Sequence, residues 1–179
     1  MLSFVDAPYA LYAHRITLRP PQHSDTQAIT QLANNPKIAA MTATIPHPYP
    51  LSAAMEWVKA VAIQRQNGQT LAYLICNRNN ENVMGVISLK TLSDGATNLA
   101  YWLGEPYWGC GFCTEAGHLI LKLAKQLNLT KIVAKHLDTN QPSKKVLLRL
   151  GFKEIRTEKS NHRGEEMCFV CYELSVDSD

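Results

Sequence analysis

Residues 98–116 read NLAYWLGEPYWGCGFCTEA, a stretch that joins a predicted strand to a predicted helix. Its first residues complete an alternating segment, 97–103, that predicts a strand. Further along, apolar residues recur at helical spacing and predict an amphipathic helix over 112–127. Gly109 and Gly111 lie between the two elements, where glycine lets the backbone approach a ligand and the free N–H groups of a helix's first turn attract anions. The stretch predicts a pyrophosphate cradle, or a corner that the glycines only shape, since a G-x-G alone is a weak signal.

The same stretch has Cys110 and Cys113 at a C-x-x-C spacing, which is also typical of dithiols and half zinc sites. A second pair, Cys168 and Cys171, lies in a segment that predicts a strand, where side chains three residues apart point to opposite faces. A redox dithiol would follow a βαβ pattern, whereas a meander precedes Cys110. We therefore expect no metal site, and we expect Cys76, Cys168 and Cys171 to be small buried apolar residues. Oxidation or alkylation of Cys110 and Cys113 stays open.

In the rest of the chain, alternating apolar and polar residues predict strands, and turn residues mark their ends. The predicted strands are 15–20, 70–77, 83–90, 97–103, 131–137, 152–159 and 166–174. Only turn-rich segments separate the second to fourth strands, which predicts an antiparallel meander. The last two predict a hairpin around residues 161–164.

Helix signals lie between these strands. Four helices are predicted in chain order. The first is capped by Ser24 and Asp25 and runs to Ala33, and the second is capped by Ser52 and covers about 53–66. The third covers 112–127, and the fourth begins at Asn140 and is closed by Gly151. Asn34-Asn35-Pro36 ends the first helix, and the proline-rich segment 42–51 predicts an ordered loop. On the second helix we expect an inward face of Met55, Val58 and Ala62, with Trp57 as a further candidate. The order β, α, α, β, β, β, α, β, α, β, β predicts an α+β fold, a mixed sheet with helices on its faces.

Composition and charge exclude several classes of protein. The chain has 179 residues, of which 46% are hydrophobic and 18% charged, and this fits one domain over residues 1–179 with its core over 15–174. A net charge of +3 without a basic stripe predicts no nucleic-acid partner. No run approaches the ~18 apolar residues of a membrane span, and the N-terminus lacks a signal peptide's basic region. Five cysteines, an odd number, favour reduced thiols and a cytoplasmic location, with no membrane partner.

The stretch 98–116 resembles the acetyl-CoA-binding motif of the GNAT N-acetyltransferase superfamily, and more narrowly of its RimJ/RimL branch of ribosomal-protein N-terminal acetyltransferases. Further matches are Arg15-Ile-Thr-Leu-Arg-Pro20, Ile45-Pro-His-Pro-Tyr-Pro-Leu51 and Asn140-Gln-Pro-Ser-Lys-Lys-Val-Leu-Leu-Arg-Leu-Gly-Phe152. They follow the family's order from residue 15 to 174. The resemblance implies a mostly antiparallel sheet that splays between the fourth and fifth predicted strands, with helices on both faces.

The resemblance also implies where acetyl-CoA binds, with no metal. The family pattern Q/R-x-x-G-x-G/A falls on residues 108–113, with Trp108 in place of Gln or Arg. Backbone N–H groups of this loop would hold the pyrophosphate, the edge of strand 97–103 would pair with the pantetheine, and Asn140 and Ser143 would meet the thioester end. Helix capping is the competing role for Asn140 and Ser143. The predicted cofactor-binding residues are Trp102, Leu103, Trp108, Gly109, Cys110, Gly111, Phe112, Cys113, Thr114, Asn140 and Ser143.

For catalysis the resemblance points to Ser143, Tyr101 and Asn98. Ser143 or Tyr101 could return a proton to the leaving thiolate, although Tyr101 is equally suited to be a core aromatic. The branch often carries Glu three residues before the Tyr, where this chain has Asn98, which cannot take a proton at neutral pH. His47 and His136 are alternative bases, because an imidazole side chain titrates near neutral pH. Their positions in the sequence do not identify a hydrogen-bond partner for either.

An α-amine, with a reference pKa of ~7.7 to 8.0, needs less help from a base than a lysine side chain at ~10.4. The expected acceptor is therefore a protein N-terminus or a small amine. It would enter opposite the cofactor, at a site bounded by the first two helices, residues 41–51 and the loop around 161–164. The alternative is an acyl-CoA-binding protein of the same fold without turnover. The resemblance leaves monomer and homodimer open.

Overall fold

The structure is a computed structural model that describes residues 3–162 and 164–176. Its strands are β1 (Leu11–Tyr12), β2 (Ile16–Arg19), β3 (Thr70–Asn77), β4 (Val83–Thr91), β5 (Thr97–Leu103), β6 (Lys131–Leu137), β7 (Lys153–His162) and β8 (Glu165–Ser175). Its helices are α1 (Thr26–Ala33), α2 (Pro36–Met41), α3 (Leu51–Gln66), α4 (Phe112–Gln126) and α5 (Gln141–Arg149). Within these described ranges, no helix combines the length and the apolar character needed to span a bilayer.

The described strands form one sheet in the order β1-β2-β3-β4-β5-β6-β8-β7. Neighbouring strands pair antiparallel, except β5 and β6, which pair in parallel. The predicted meander is β3-β4-β5. The predicted fourth and fifth strands correspond to β5 and β6, because the two-residue strand β1 escaped prediction. The predicted α+β fold with a mixed sheet is confirmed.

Helices cover both faces of the sheet. On one face α4 and α5 pack against the strands, with Leu99 and Leu103 of β5 in the same buried cluster as Ile120 and Leu147. On the other face α1, α2 and α3 bury a second cluster, against which Trp102 packs. Successive residues of β5 therefore alternate between the two helical layers, as a strand between two packed layers must.

Two helix starts differ from the sequence prediction because proline begins a helix as readily as it ends one. The first helix ends at Ala33 as predicted, but the same residues also begin a helix that was not predicted: Asn35 caps α2 by accepting a hydrogen bond from the Lys37 amide at 2.9 Å, and Pro36 is the first residue of α2. Helix α3 begins at Leu51 after Pro50, so Ser52 lies inside the helix and the predicted cap was wrong.

The buried face of α3 also differs from the prediction. Val58 is buried as expected, but Met55 and Ala62 face solvent and the buried partners are Ala54 and Val61. Trp57, the further candidate for this face, is half-buried and packs against the second cluster.

The C-terminal half follows the prediction closely. Asn140 caps α5, and Gly151, at φ 88°, ends it. The amide of Phe152 donates to Leu147 at 3.0 Å and that of Gly151 to Leu148 at 3.1 Å, a Schellman motif. The hairpin β7-β8 is longer than predicted, reaching His162 and Glu165, and Arg163 at its turn lies outside the described residues.

Candidate functional site

The loop between β5 and α4 presents a row of free backbone donors. A 3₁₀ turn, Glu105–Tyr107, leads into Gly109 and Gly111, which have φ values of 73° and 80°. Within the described part of the chain, no acceptor takes a hydrogen bond from the N–H groups of residues 109–114. A Cβ added at Gly109 would meet no atom within 4 Å, so the loop is open on that side. These features fit a diphosphate, which needs several N–H donors and close backbone approach.

The first turn of α4 also contains a hydroxyl without a partner. Thr114 Oγ1 is buried and makes no hydrogen bond in the described structure. Because buried polar atoms are nearly always paired, this hydroxyl fits a site completed by a ligand. Thr114 was among the residues predicted from the sequence to hold the cofactor.

Next to this loop, β5 and β6 separate. They pair only through Thr97 with Ile132 and Asn98 with Val133, whereas β4 stays paired with β5 as far as Leu103. The sheet is therefore split from Leu99 to the end of β5. At the end of β5, the Trp108 indole donates a 2.7 Å hydrogen bond to the Leu103 carbonyl and fixes the loop to the strand. Trp108 remains 42% exposed.

Tyr101 and Ser143 meet across this split. The Tyr101 hydroxyl lies 2.9 Å from Ser143 Oγ and 3.3 Å from the Ser143 carbonyl oxygen. Burial raises the pKa of Tyr101 well above its ordinary value, although the contact with Ser143 opposes this. The phenol therefore keeps its proton at the pH values in which amines react.

Asn140 determines where Ser143 lies. Its Oδ1 accepts the amide of Ser143 at 3.2 Å, so it caps α5, and its Nδ2 donates to the Met41 carbonyl at 3.4 Å. The start of α5 is thereby linked to the end of α2. Capping, one of the two roles weighed for Asn140 from the sequence, is confirmed, and the contact to Met41 was not foreseen.

Asn98 lies on the opposite side of β5 from Tyr101. The strand alternates, so Asn98 points toward the face covered by α1 and α3, where it is half-buried. Its side chain makes no hydrogen bond to any described residue. The structure thus brings Tyr101 and Ser143 together but does not bring Asn98 to them.

The two histidines suggested as alternative bases lie in different surroundings. His47 is exposed in the proline-rich loop. His136 is buried, with Nδ1 2.5 Å from the Leu137 carbonyl oxygen and Nε2 3.2 Å from the Tyr172 hydroxyl. Both ring nitrogens of His136 thus have partners, which is typical of a structural histidine.

Arg15 belongs to this site, although sequence analysis assigned it no role beyond the first strand. Its Nε donates to Glu115 at 2.8 Å, its Nη1 donates to the Cys110 carbonyl at 3.0 Å, and its guanidinium stacks over the Phe112 ring at 4.6 Å. No sequence signal identifies such a contact, because the partners are about 100 positions apart.

All five cysteines are free thiols. Cys110 is exposed, whereas Cys113 packs against the core, and burial raises the pKa of the Cys113 thiol to about 12. A neutral thiol is a poor nucleophile, so the two do not resemble a reactive dithiol. Over residues 3–162 and 164–176, no group of three or more His, Cys, Asp or Glu residues could hold a metal ion.

Comparison with known proteins agrees with this geometry. A model of the acetyltransferase (GNAT) domain family matches residues 15–153. The uncharacterised N-acetyltransferase p20 of Bacillus licheniformis is 27% identical over 147 residues, which are 80% of this chain and 82% of that protein.

Solved structures share the fold. The ribosomal L7/L12 α-N-protein acetyltransferase RimL, in complex with coenzyme A, aligns with a TM-score of 0.83 and 22% identity over 97% of this chain and 99% of that one. The microcin C7 self-immunity acetyltransferase MccE, in complex with acetyl-CoA and AMP, aligns with a TM-score of 0.82 and 21% identity over 92% of this chain and 94% of that one. The predicted RimJ/RimL-like architecture is thus confirmed. With the family match over most of its length, this chain belongs to the GNAT acetyltransferases and is an acetyl-CoA-dependent N-acetyltransferase.

Proposed function

We propose that this enzyme transfers the acetyl group to an α-amine, either a protein N-terminus of the ribosomal-protein type or a small amine, by direct attack in a ternary complex. We infer the acceptor class from Asn98, which places a half-buried amide at a position where the related branch often has Glu. An amide cannot accept a proton at neutral pH, so the acceptor that suits this site is one already partly neutral. The α-N-protein activity of the similarly folded RimL supports the same class.

The cofactor would be held by backbone groups. The free N–H groups of residues 109–114 and the Thr114 hydroxyl would bind its diphosphate. The pantetheine would lie along the unpaired edge of β5, where Trp102 and Leu103 end the strand. Bound there, acetyl-CoA supplies the activated acyl group as a thioester.

The unpaired edge of β5 can also stabilise developing charge. The amide of Gly104 donates toward β4, to the Met84 carbonyl at 2.8 Å. Because backbone groups alternate along a strand, the amides of Tyr101 and Leu103 face the split instead. One N–H donor aimed at the thioester oxygen contributes ~3 to 4 kcal/mol to catalysis in other enzymes.

Proton transfer would fall to the Tyr101–Ser143 pair. The raised pKa of Tyr101 keeps the phenol protonated, and Ser143 Oγ lies within hydrogen-bond distance of it. The phenol can donate a proton to the leaving thiolate, directly or through Ser143, and the proton that the amine nitrogen loses on forming the amide restores the phenol by way of solvent. Asn140, which caps α5, holds Ser143 in place.

The experiment is an amine panel read by release of free thiol from acetyl-CoA. We expect turnover of peptides with a free N-terminus and of small α-amines, and little turnover of the same peptides N-acetylated but carrying an internal lysine. Preferential acetylation of lysine would contradict the proposed acceptor class. A thermal shift with CoA but no thiol release from any amine would favour the alternative, a non-catalytic acyl-CoA-binding protein. We also propose a cytoplasmic location, which the free thiols support.

A further inference from the structure

Arg15 contacts three parts of the β5–α4 loop at once. Its backbone N–H and its Nε donate to the two carboxylate oxygens of Glu115, at 2.9 and 2.8 Å, and its Nη1 donates to the Cys110 carbonyl at 3.0 Å. The guanidinium plane lies over Phe112, the first residue of α4. The remaining nitrogen, Nη2, has no partner among the described residues and lies 3.6 Å from where a Cβ on Gly111 would be.

Glu115 explains why an arginine is needed here. A carboxylate in the first turn stabilises a helix through its dipole, but the same charge repels an anion bound at that turn. The Glu115 side chain is 18% exposed and adjoins the amides that would hold the diphosphate. Pairing with Arg15 offsets this negative charge, and the Nη1 contact occupies the Cys110 carbonyl, an acceptor that lies among the cradle's donors.

The ion pair between Arg15 and Glu115 is expected to contribute little to the stability of the fold. The Arg15 side chain is 45% exposed, and exposed ion pairs contribute ~0 to 1 kcal/mol to folding. The contacts of Arg15 with Cys110, Phe112 and Glu115 nevertheless all lie in the segment that would face the cofactor.

We propose that Arg15 is a positioning residue for the cofactor diphosphate: it neutralises Glu115, fixes the Cys110 carbonyl and so keeps the loop amides available to the anion. This inference rests on the proposed assignment of residues 109–114 to the diphosphate. Arg15 would thus affect binding of the cofactor's diphosphate and not of its 3′-phosphate.

The test measures the Kd of CoA and of dephospho-CoA by calorimetry. We expect Arg15→Gln to raise both values roughly tenfold and to leave kcat at saturating acetyl-CoA within about twofold. Adding Glu115→Gln to Arg15→Gln should restore most of the affinity, because the unpaired carboxylate is then gone. Arg15→Lys, which keeps the charge but not the fork of donors, should give intermediate values. The thermal midpoint should move by no more than about 2 °C.

Arg78→Gln is the matched control. Arg78 also stacks over an aromatic ring and donates to a backbone carbonyl, through Tyr12 and Ala13, but it makes no contact with the loop. Its loss should leave both Kd values unchanged. An unchanged Kd in Arg15→Gln, a loss confined to CoA, or no recovery in the double variant would each overturn the proposal.

The loop assignment has its own test, Gly111→Ala. This change adds a Cβ in the cradle at a positive φ, and Gly95→Ala adds one at φ 83° in a remote turn. We expect only Gly111→Ala to weaken CoA binding. If it does not, the assignment of the loop itself fails; if it does while Arg15→Gln has no effect, only the role of Arg15 fails.

Discussion

In the proposed mechanism, the phenol of Tyr101 is the proton source for the leaving thiolate. Its hydroxyl lies 2.9 Å from Ser143 Oγ, and burial raises its pKa, so it remains neutral well into the alkaline range. We expect Tyr101→Phe to lower kcat by about 10²-fold with little change in KM for acetyl-CoA. The wild-type pH profile should show no loss of rate from Tyr101 ionisation up to about pH 10, because the phenol's pKa lies above its reference value of ~10.

Steady-state rates between pH 7 and 10 provide the measurement, with Tyr12→Phe, an exposed tyrosine outside the site, as the control. The double variant with Ser143→Ala and Tyr101→Phe should lower kcat no more than the more damaging of the two single variants. In the proposed mechanism the two hydroxyls take part in the same proton transfer, so their effects do not add. Full activity in Tyr101→Phe would assign the tyrosine to packing alone.

Under the proposed function, the residue at position 98 influences which amines react, and a substitution of Asn98 tests this. We expect Asn98→Glu to raise the rate on a lysine side-chain amine, because a carboxylate can take its proton, and to leave the Kd of CoA unchanged. The effect on an α-amine should be small, since much of it is neutral near pH 8. Asn98→Gln has the same length without the charge and should resemble the wild type. Equal rates for Asn98→Glu and Asn98→Gln at every pH would contradict this role.

At the scale of elements, the capping of α5 links stability to the site. Asn140→Ala removes the acceptor of the Ser143 amide and should lower the free energy of unfolding by about 1 kcal/mol. Asn140→Asp keeps an acceptor oxygen and adds a charge that the helix dipole favours, so its stability should match the wild type. Urea unfolding of both variants tests this, with Gln141→Ala, an exposed first-turn residue, as the control. Equal losses in both Asn140 variants would show that the Met41 contact, which neither variant keeps, matters more than the cap.

Strands and helices that depend on the pattern of neighbouring residues could be predicted from the sequence. The bounds of β3, β5 and β6 agree with the predicted strands, because alternation and the neighbouring turns specify them. Helix α2 was missed because a proline after two asparagines suits a helix start as well as a stop. The roles of Arg15 and the Asn140–Met41 contact were out of reach, since each depends on segments brought together only by the folded sheet.

For the molecule as a whole, the ion pair between Arg19 and Asp25 contributes to the response to acid. Arg19 on β2 donates to both oxygens of Asp25, at 2.9 and 2.8 Å, and the Gln22 amide donates at 2.7 Å. Burial raises the pKa of Asp25, but these donors outweigh burial and hold it below the ordinary 3.8. A lowered pKa in the folded state contributes stability above about pH 4 that is lost as the pH falls through the folded value.

We therefore expect Asp25→Asn to lower the free energy of unfolding at pH 7 by about 1 to 3 kcal/mol. The difference from the wild type should shrink below pH 4, where Asp25 itself becomes protonated. Urea unfolding at pH 7 and pH 3 gives the two values, and the exposed Asp138→Asn provides the control. A difference that stays the same at both pH values would mean that the charge of Asp25 is not what stabilises the fold.

Only two residue pairs join β5 to β6, so β1–β5 and β6–β8 are two half-sheets connected at one end. A ligand lying between them would bridge the halves through the backbone of β5, in the way an inserted strand does. Without ligand, we expect the two half-sheets to unfold locally and independently of each other. With ligand bound between them, we expect them to unfold as one cooperative unit. Amide hydrogen exchange reports this directly: protection of Tyr101 and Leu103 should rise on adding CoA, while that of Thr97, already paired, should hardly change.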